Sequence, residues 1–331
     1  MIGRPTGLSL GGMPLVSIDD LRAAQERIAG VAVRTPLLPC PWGDADRPLW
    51  LKPESLQPVG SFKIRGAYHA IAALPAGVRA RGVITHSSGN HGQAVAYAAA
   101  RFDIPAVVVI PKVAPAVKVD AVCRLGAEVV LVDGGERLEA TEKLAAERDL
   151  TLIPPFDHPD VIAGQGCVGL EILADLSTVD VILVPVGGGG LASGVSVAVK
   201  AIRPQTAVYG VEPDLAPDAR DSLAAGRIVP YTDEQRYATI ADGMRTHPSE
   251  LTLAHLRANL DGIVTVTEDE IRAAVGMLAR DANLVAEPSG ATTVAACRFH
   301  VAQLPAGRTV AVVSGGNLDP ALLAELVSEP R

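Results

Sequence analysis

The residue with the most distinctive potential chemistry is Lys63, which lies among small and apolar residues in the stretch 60–67. A proline turn at Pro58 precedes it, and the pattern that follows is typical of a helix start. Loss of hydration lowers the pKa of a lysine, and the neutral amine is a nucleophile that can form a Schiff base with a carbonyl cofactor. The usual alternative is a solvated surface charge. The stretch alone leaves both interpretations open.

A run of glycines follows a valine-rich strand and precedes a helix that starts near Leu191. Exposed backbone N–H groups and the positive end of a helix dipole form a cradle for phosphate. An ordinary turn does not require so many glycines, because each one costs chain entropy. The loop also fits a dinucleotide fingerprint, in which Glu212 would bind a ribose. The sequence therefore predicts phosphate binding and leaves the ligand open. The glycines of this loop are Gly187, Gly188, Gly189 and Gly190.

Two further loops carry polar groups at the ends of predicted strands. Residues 85–93 join a strand to a helix, and their hydroxyl and N–H groups suit a carboxylate ligand. A simple helix cap would need only one such side chain. Residues 314–317 end the last predicted strand, at the edge of an open α/β sheet where ligands bind, although a tight turn is the alternative. The polar residues of the first loop include Ser87, Ser88, Asn90 and His91.

The composition limits the kind of protein that can carry these loops. The 331 residues have a net charge of −8, which argues against nucleic acid as the main partner. Aromatic residues make up only 3%, so Ala, Val, Leu and Ile must build the core. The four cysteines are widely separated and have no zinc-like spacing, which is typical of reduced thiols in a cytoplasmic protein. The uncharged residues 181–199 contain a proline and a glycine run, so we expect a strand and a helix there rather than a membrane span.

Strands and helices alternate along most of the chain, which predicts an α/β fold with parallel sheets. Three β-α units fall between residues 82 and 153, and a second series runs from residue 164 to residue 313. The second series begins with a helix predicted from Gly164, and residues 213–260 have an irregular pattern. We expect two domains with a cleft between them. Residues 76–159 would form a small domain inserted into a larger one, made of residues 1–75 and 160–331.

Four motifs in this order and spacing resemble those of the fold-type II pyridoxal-phosphate enzymes, in the branch of serine racemase and the serine/threonine ammonia-lyases. The resemblance covers nearly the whole chain from about Ser17. It implies a two-domain fold similar to that of tryptophan synthase β, each domain an open, mostly parallel sheet flanked by helices. The motifs are Ser-Phe-Lys-Ile-Arg-Gly-Ala, Ser-Ser-Gly-Asn-His-Gly-Gln, Gly-Gly-Gly-Gly-Leu and Ser-Gly-Gly-Asn.

The resemblance also implies roles for individual residues around bound pyridoxal 5'-phosphate. Lys63 would hold the cofactor covalently and remove the Cα proton of the substrate, with Phe62 packed beside the cofactor. Asn90 would donate a hydrogen bond to the ring 3-oxygen, and Ser314 would face the pyridine nitrogen. The glycine loop and Leu191 would hold the phosphate. The substrate carboxylate would be bound by Ser87, Asn90 and His91.

Ser88 and Arg137 bear on the choice of reaction and substrate. Serine racemases have serine at the position of Ser88, whereas ammonia-lyases devoted to threonine have alanine. A hydroxyl opposite Lys63 can deliver or take the second proton that racemisation needs; the alternative is a small helix-start residue. Arg137 could hold the second carboxylate of 3-hydroxyaspartate, or it could be an exposed arginine.

The racemase branch also implies a divalent cation site in residues 212–218. Three oxygen ligands completed by water suit Mg²⁺, or Ca²⁺ at a higher coordination number. An acidic surface loop is the alternative. A metal role would explain Glu212 without a dinucleotide. The implied ligands are the Glu212 carboxylate, the Ala216 carbonyl and the Asp218 carboxylate.

These observations predict an enzyme that eliminates the β-hydroxyl group of small amino acids such as L-serine and L-threonine, giving a 2-oxo acid and ammonia. Serine racemisation is expected as a companion activity. The alternatives are a threo-3-hydroxyaspartate ammonia-lyase, an enzyme that is mainly a racemase, an NAD-dependent oxidoreductase, and an amino-acid-binding protein without catalysis. The resemblance implies a homodimer. We expect no membrane or nucleic-acid partner.

Overall fold

The computed structural model describes residues 9–10, 13–87, 89–114 and 116–328, and these form an α/β protein with parallel-dominated sheets flanked by helices. This confirms the predicted fold class. The strands are β1 (Ser9–Leu10), β2 (Met13–Pro14), β3 (Leu38–Pro39), β4 (Leu49–Pro53), β5 (Val83–His86), β6 (Ala106–Pro111), β7 (Glu128–Val132), β8 (Thr151–Leu152), β9 (Val181–Pro185), β10 (Ala207–Pro213), β11 (Gly262–Val266) and β12 (Thr309–Val313).

Helices cover both sheets, and several of them begin at a side-chain cap. Ser17 caps the first helix in a capping box with Asp20, and Thr267 caps the twelfth with Glu270. The helices are α1 (Ile18–Ile28), α2 (Lys63–Ala73), α3 (Ala76–Arg79), α4 (Asn90–Arg101), α5 (Ala116–Arg124), α6 (Arg137–Glu147), α7 (Pro159–Asp175), α8 (Gly190–Ile202), α9 (Asp218–Ala225), α10 (Asp233–Tyr237), α11 (Glu250–Asn259), α12 (Glu268–Asp281), α13 (Pro288–Phe299) and α14 (Pro320–Ser328).

The larger sheet has six strands in the order β11-β10-β9-β12-β4-β3. All neighbouring strands are parallel except β3 and β4. The central strands β9 and β12 are buried along their whole length, as expected for parallel strands that helices cover on both faces. Parallel strands place their carboxyl ends at one edge, so the loops that follow β9 and β12 lie together.

The smaller sheet has four parallel strands in the order β7-β6-β5-β8, all from residues 83–152. Helix α2, which begins at Lys63, packs against both α4 and α7. It therefore connects the helices of this sheet to those of the larger one. The loop after β5 starts from the carboxyl end of the smaller sheet and carries the polar motif of residues 85–93.

The expectation of irregular structure in residues 213–260 is wrong, because that region contains α9, α10 and α11. The helix predicted from Gly164 begins five residues earlier, at Pro159 in α7. Strands β3 and β11 and helix α14 were not predicted. Residues 181–199 form β9, the glycine loop and most of α8, as expected. Within the described ranges, no helix is both long and apolar enough to cross a membrane.

Candidate active site

Lys63 is the first residue of α2, and its amine lies at the junction of several loops. Its Nζ donates a hydrogen bond to the Pro155 carbonyl oxygen at 2.8 Å and lies 5.0 Å from the centre of the Phe62 ring. Burial lowers the pKa of this amine to about 8, while the nearby Glu287 carboxylate acts in the opposite direction. Near neutral pH, the neutral and nucleophilic fraction of Lys63 is therefore much larger than that of a solvent-exposed lysine.

A buried ion-pair network fixes the helix that presents Lys63. The Arg65 guanidinium contacts Glu54 and Glu171, each at 2.7 Å, and Lys52 contacts Glu171 at 2.6 Å. These four side chains are almost completely buried. Breaking one of these buried ion pairs would leave an uncompensated buried charge. The network therefore fixes the positions of strand β4 and helices α2 and α7 relative to one another. Arg65 is two residues beyond Lys63, and the helix start is anchored with it.

The glycine loop between β9 and α8 has space for backbone only. Gly189 has a φ of +86°, which favours glycine. A Cβ on Gly188 would lie 2.3 Å from the Phe156 ring, and one on Gly190 would lie 2.6 Å from Gln165 Oε1. The first N–H groups of α8 have no acceptor within the helix. The loop thus presents bare backbone N–H groups, which suit an anion, and has no room for side chains of its own.

The loop from β5 to α4 is packed as tightly as the glycine loop. A Cβ on Gly92 would lie 2.3 Å from the Ser87 carbonyl oxygen. The His91 ring is buried, with Nε2 bonded to the Ile153 carbonyl oxygen at 2.9 Å. Burial, followed by the charge of Lys63, lowers the pKa of His91 to about 3, so its ring is neutral. Donors for a substrate carboxylate would therefore come from the first N–H groups of α4. Ser88 lies outside the described residues.

The turn after β12 joins the other loops through backbone and amide contacts. The Ser314 carbonyl oxygen accepts a hydrogen bond from Phe62 N at 3.0 Å, and Ser314 itself is buried. Asn317 Nδ2 donates to Asn90 Oδ1 at 2.7 Å and to the Val59 carbonyl oxygen at 2.8 Å. The structure thus brings Lys63, Phe62, Asn90 and Ser314 together from separate parts of the chain.

Glu287 is a site residue that sequence reasoning missed. Its Oε1 accepts a hydrogen bond from Asn90 Nδ2 at 2.6 Å, and only 4% of the residue is exposed. Burial, followed by the charge of Asp242, raises the pKa of Glu287 to about 8. The sequence signal was weak, because an acid followed by Pro288 at the start of α13 is also typical of a helix cap.

The three predicted metal ligands lie at the end of β10 and the start of α9. Glu212 accepts hydrogen bonds from Ala219 N and Arg220 N, at 2.9 and 2.8 Å. Burial raises the pKa of Glu212 and Asp218, the latter to about 6, and Asp218 Oδ2 has no hydrogen-bond partner among the described residues. Two buried carboxylates with an unpaired oxygen suit a cation. In the described part of the chain, no group of three or more His, Cys, Asp or Glu side chains could hold a metal. The proposed site has only two such side chains, Glu212 and Asp218, and its third ligand would be the backbone carbonyl of Ala216.

Arg137 begins α6 and lies near the carboxyl end of β5. Burial, followed by the charge of Arg137, lowers the pKa of His86. His86 immediately precedes Ser87, so a positive charge lies close to the loop predicted to bind the substrate. Arg137 is half-buried rather than fully exposed. Its position is compatible with contact to a substrate side chain.

The assembled groups suit a phosphorylated aldehyde cofactor. The glycine cradle admits an anion, Lys63 supplies an amine of lowered pKa, and Asn90 offers an oriented amide. Beside the cradle, the buried Gln165 Oε1 has no hydrogen-bond partner among the described residues. Buried polar atoms are normally paired, and a bound ligand or water would satisfy this one. The residues therefore fit pyridoxal phosphate.

Comparison with known proteins agrees with this geometry. The family model described as "Pyridoxal-phosphate dependent enzyme" matches residues 28–315. An L-threonine ammonia-lyase of Thermotoga maritima is 39% identical, over 95% of this chain and 79% of the relative. An L-threo-3-hydroxyaspartate ammonia-lyase of Saccharomyces cerevisiae is 38% identical, over 93% of this chain and 95% of the relative. The structure of maize serine racemase superposes with a TM-score of 0.88 at 38% identity, over 94% and 96% of the two chains.

Proposed function

Because the chain belongs to the family of pyridoxal-phosphate dependent enzymes, we propose that it eliminates the β-hydroxyl group of L-serine and L-threonine. The products are a 2-oxo acid and ammonia. The names of its relatives support this reaction, since they include ammonia-lyases acting on β-hydroxy amino acids. The observation that carries the proposal is the amine of Lys63, which has a lowered pKa and lies at the junction of the predicted cofactor loops.

The chain's own residues provide binding, orientation and proton transfer. When bound, pyridoxal phosphate supplies an aldehyde that condenses with amines and a ring that acidifies the substrate Cα proton. Residues 187–191 would hold its phosphate with backbone N–H groups, while Asn90 would donate to its ring oxygen. Ser314 would face its pyridine nitrogen with a neutral hydroxyl.

Lys63 Nζ is the group that we expect to accept the Cα proton. A general base works best when its pKa is close to the working pH, and burial brings Lys63 near that range. The N–H groups at the start of α4, together with Ser87 and Asn90, would orient the substrate carboxylate. The Pro155 carbonyl, which accepts from Lys63 at 2.8 Å, keeps the amine directed toward the loops.

Release of 2-oxo acid tests this proposal directly. We expect purified protein supplied with pyridoxal phosphate to form 2-oxo acid and ammonia from L-serine and L-threonine. Lys63→Ala should lower the rate by at least about a thousandfold, because the variant lacks both the covalent anchor and the base. Turnover by Lys63→Ala at the wild-type rate would refute the proposal.

A second candidate substrate, threo-3-hydroxyaspartate, is favoured by the position of Arg137 beside the substrate loop. An arginine can bind a second carboxylate through two parallel hydrogen bonds. The same assay decides between the substrates: Arg137→Met should lower kcat/KM for hydroxyaspartate at least about tenfold and leave that for L-serine within about threefold. Equal losses for both would exclude a selective role for Arg137.

Racemisation is proposed as a companion activity, and a purely racemising enzyme remains the alternative. The name of the maize structure supports this, and Ser88 is the residue proposed to exchange the second proton. Chiral analysis of residual serine with wild type and Ser88→Ala tests it. Racemisation that persists in Ser88→Ala would show that another group moves the proton.

Other features remain part of the proposal. A divalent cation, Mg²⁺ or Ca²⁺, would bind Glu212, Ala216 and Asp218, and the unpaired Asp218 Oδ2 supports this. We also propose the inserted domain of residues 76–159, a homodimer and a cytoplasmic location.

Family membership displaces the oxidoreductase alternative. A binding protein without catalysis would need no amine of lowered pKa at this position.

A further inference from the structure

Glu287 lies at the meeting point of three loops that come from different parts of the chain. Its Oε1 accepts from Asn90 Nδ2 at 2.6 Å, and its backbone N–H donates to the Gly315 carbonyl oxygen at 3.0 Å. A Cβ on Gly315 would lie 2.4 Å from the same Oε1. The carboxylate therefore contacts the start of α4, from the smaller sheet, and the turn after β12, from the larger one.

The charged groups that face Glu287 are few. Asp242 approaches from the turn that precedes α11, and its negative charge opposes the ionisation of Glu287. Lys118 of α5 acts in the opposite direction and forms an ion pair with Asp242. Lys63 of α2 is close enough for the Glu287 charge to raise the pKa of its amine. No salt bridge to Glu287 is found within the described residues, so its charge is not neutralised by direct contact.

We propose that Glu287 is a positioning residue of the cofactor site, which fixes the amide of Asn90 and serves as the buried counter-charge of Lys63. The inference deepens the proposed function and rests on it, because it assumes that Lys63 and Asn90 bind the cofactor. The buried carboxylate has a defined hydrogen-bond partner in Asn90, and helix capping alone would not require it.

The Asn90 amide is fixed by two contacts at once. Its nitrogen donates to Glu287, and its oxygen accepts from Asn317 at 2.7 Å. An amide nitrogen carries two N–H donors, so one remains for the cofactor. If Glu287 were replaced by an apolar side chain, the amide could rotate and offer its oxygen instead. Glu287 therefore determines which atom of Asn90 faces the ligand.

The same carboxylate affects the amine of Lys63 through space. Burial favours the neutral amine, and an ionised Glu287 favours the protonated one. Protonation of Glu287 removes that influence. Burial and Asp242 hold the pKa of Glu287 at about 8, so both groups titrate in the same range of pH. The charge of Glu287 thus offsets part of the effect of burial and reduces the neutral fraction of Lys63.

Covalent capture of pyridoxal phosphate by Lys63 measures this coupling without relying on turnover. Apoprotein is mixed with pyridoxal phosphate at pH values from about 6 to 10, reduced with borohydride at short times, and the label on Lys63 is quantified by peptide mass. In Glu287→Gln, the midpoint of the capture rate should fall on the order of 1 pH unit, because the counter-charge is lost. Glutamine keeps an oxygen that can accept from Asn90, so the loops should retain their arrangement.

Asp242→Asn should move the midpoint in the opposite direction. Removing Asp242 favours ionisation of Glu287, which in turn raises the pKa of Lys63. A purely direct effect of losing a negative charge would lower that pKa instead. Glu26→Gln, at an exposed position of α1, is the matched control and should leave the midpoint unchanged.

Opposite shifts in the two variants would establish Glu287 as the counter-charge. Wild-type capture on Lys63 with unchanged midpoints in both variants would overturn the inference and leave the proposed function intact. Absence of capture by wild-type Lys63 would overturn the proposed function itself, and with it this role for Glu287. The two failures are therefore distinguishable in one set of measurements.

Discussion

At the scale of single residues, the site depends as much on missing side chains as on reactive ones. Lys63 supplies an amine, but its target must be placed beside it, and we propose that the glycine loop does this with backbone alone. Gly188 and Gly190 each lie against another part of the chain where a Cβ would collide. Such close approach is the physical reason for glycine at these positions, in addition to the positive φ of Gly189.

Gly188→Ala should therefore weaken the binding of pyridoxal phosphate to apoprotein at least tenfold, or about 1.4 kcal/mol. The added methyl group would lie 2.3 Å from the Phe156 ring and force the loop or the ring to move. Equilibrium dialysis with pyridoxal, which lacks the phosphate, should show a much smaller change. Gly77→Ala is the control, because no atom lies within 4 Å of the added group. Wild-type affinity in Gly188→Ala would show that this loop does not hold the phosphate.

At the scale of elements, helices and strands with a regular sequence pattern were predicted well. Those whose bounds depend on close packing were not. Helix α8 begins at the end of the glycine run and strand β12 ends at residue 313, both as predicted, because an apolar strand, a glycine run and an apolar helix are unambiguous in sequence. The start of α7 was misplaced because its glycines were taken as the beginning of the helix. Gly164 instead lies inside α7, where a Cβ would be 2.5 Å from the Arg65 carbonyl oxygen, so it permits close contact with α2.

The parts of the site and fold that could not be predicted from the sequence are those that depend on long-range contacts. The motifs placed Lys63, Asn90 and Ser314 on loops at the carboxyl ends of parallel strands, and that rule predicts that such loops meet. Glu287 follows no strand, and its role depends on a contact with Asn90, which is distant in the chain. Likewise, the helices within residues 213–260 lack a regular apolar period. Helix α11, for example, packs against α8 and α9, so its stability depends on tertiary contacts rather than on a local pattern.

The proposed cation site at the end of β10 should make the stability of this element depend on pH. The folded-state pKa of Asp218, about 6, is above its ordinary value of 3.8, so the metal-free protein loses stability as pH rises through about 6. A cation binds the ionised form, so Mg²⁺ should raise Tm by several degrees at pH 7.5 and far less at pH 5. Asp218→Asn should abolish the difference. An equal effect of Mg²⁺ on Asp218→Asn and on wild type would rule out this site.

At the scale of the whole molecule, the predicted site is built where two sheets meet. Lys63, Ser314 and the glycine loop follow strands of the larger sheet, while Ser87 and Asn90 follow β5 of the smaller one. Glu287 and Asn317 contact Asn90 across this boundary. A displacement of one sheet relative to the other would therefore change the geometry around Lys63. The division into an inserted and an enclosing domain stays a prediction that is consistent with this arrangement.

Peptide mapping after borohydride reduction shows whether one amine, that of Lys63, holds the cofactor. We predict that protein saturated with pyridoxal phosphate absorbs visible light, loses that band on reduction, and then carries a single pyridoxyl group on the peptide containing Lys63. A label on another lysine, or a colourless protein that takes up no pyridoxal phosphate, would contradict the account.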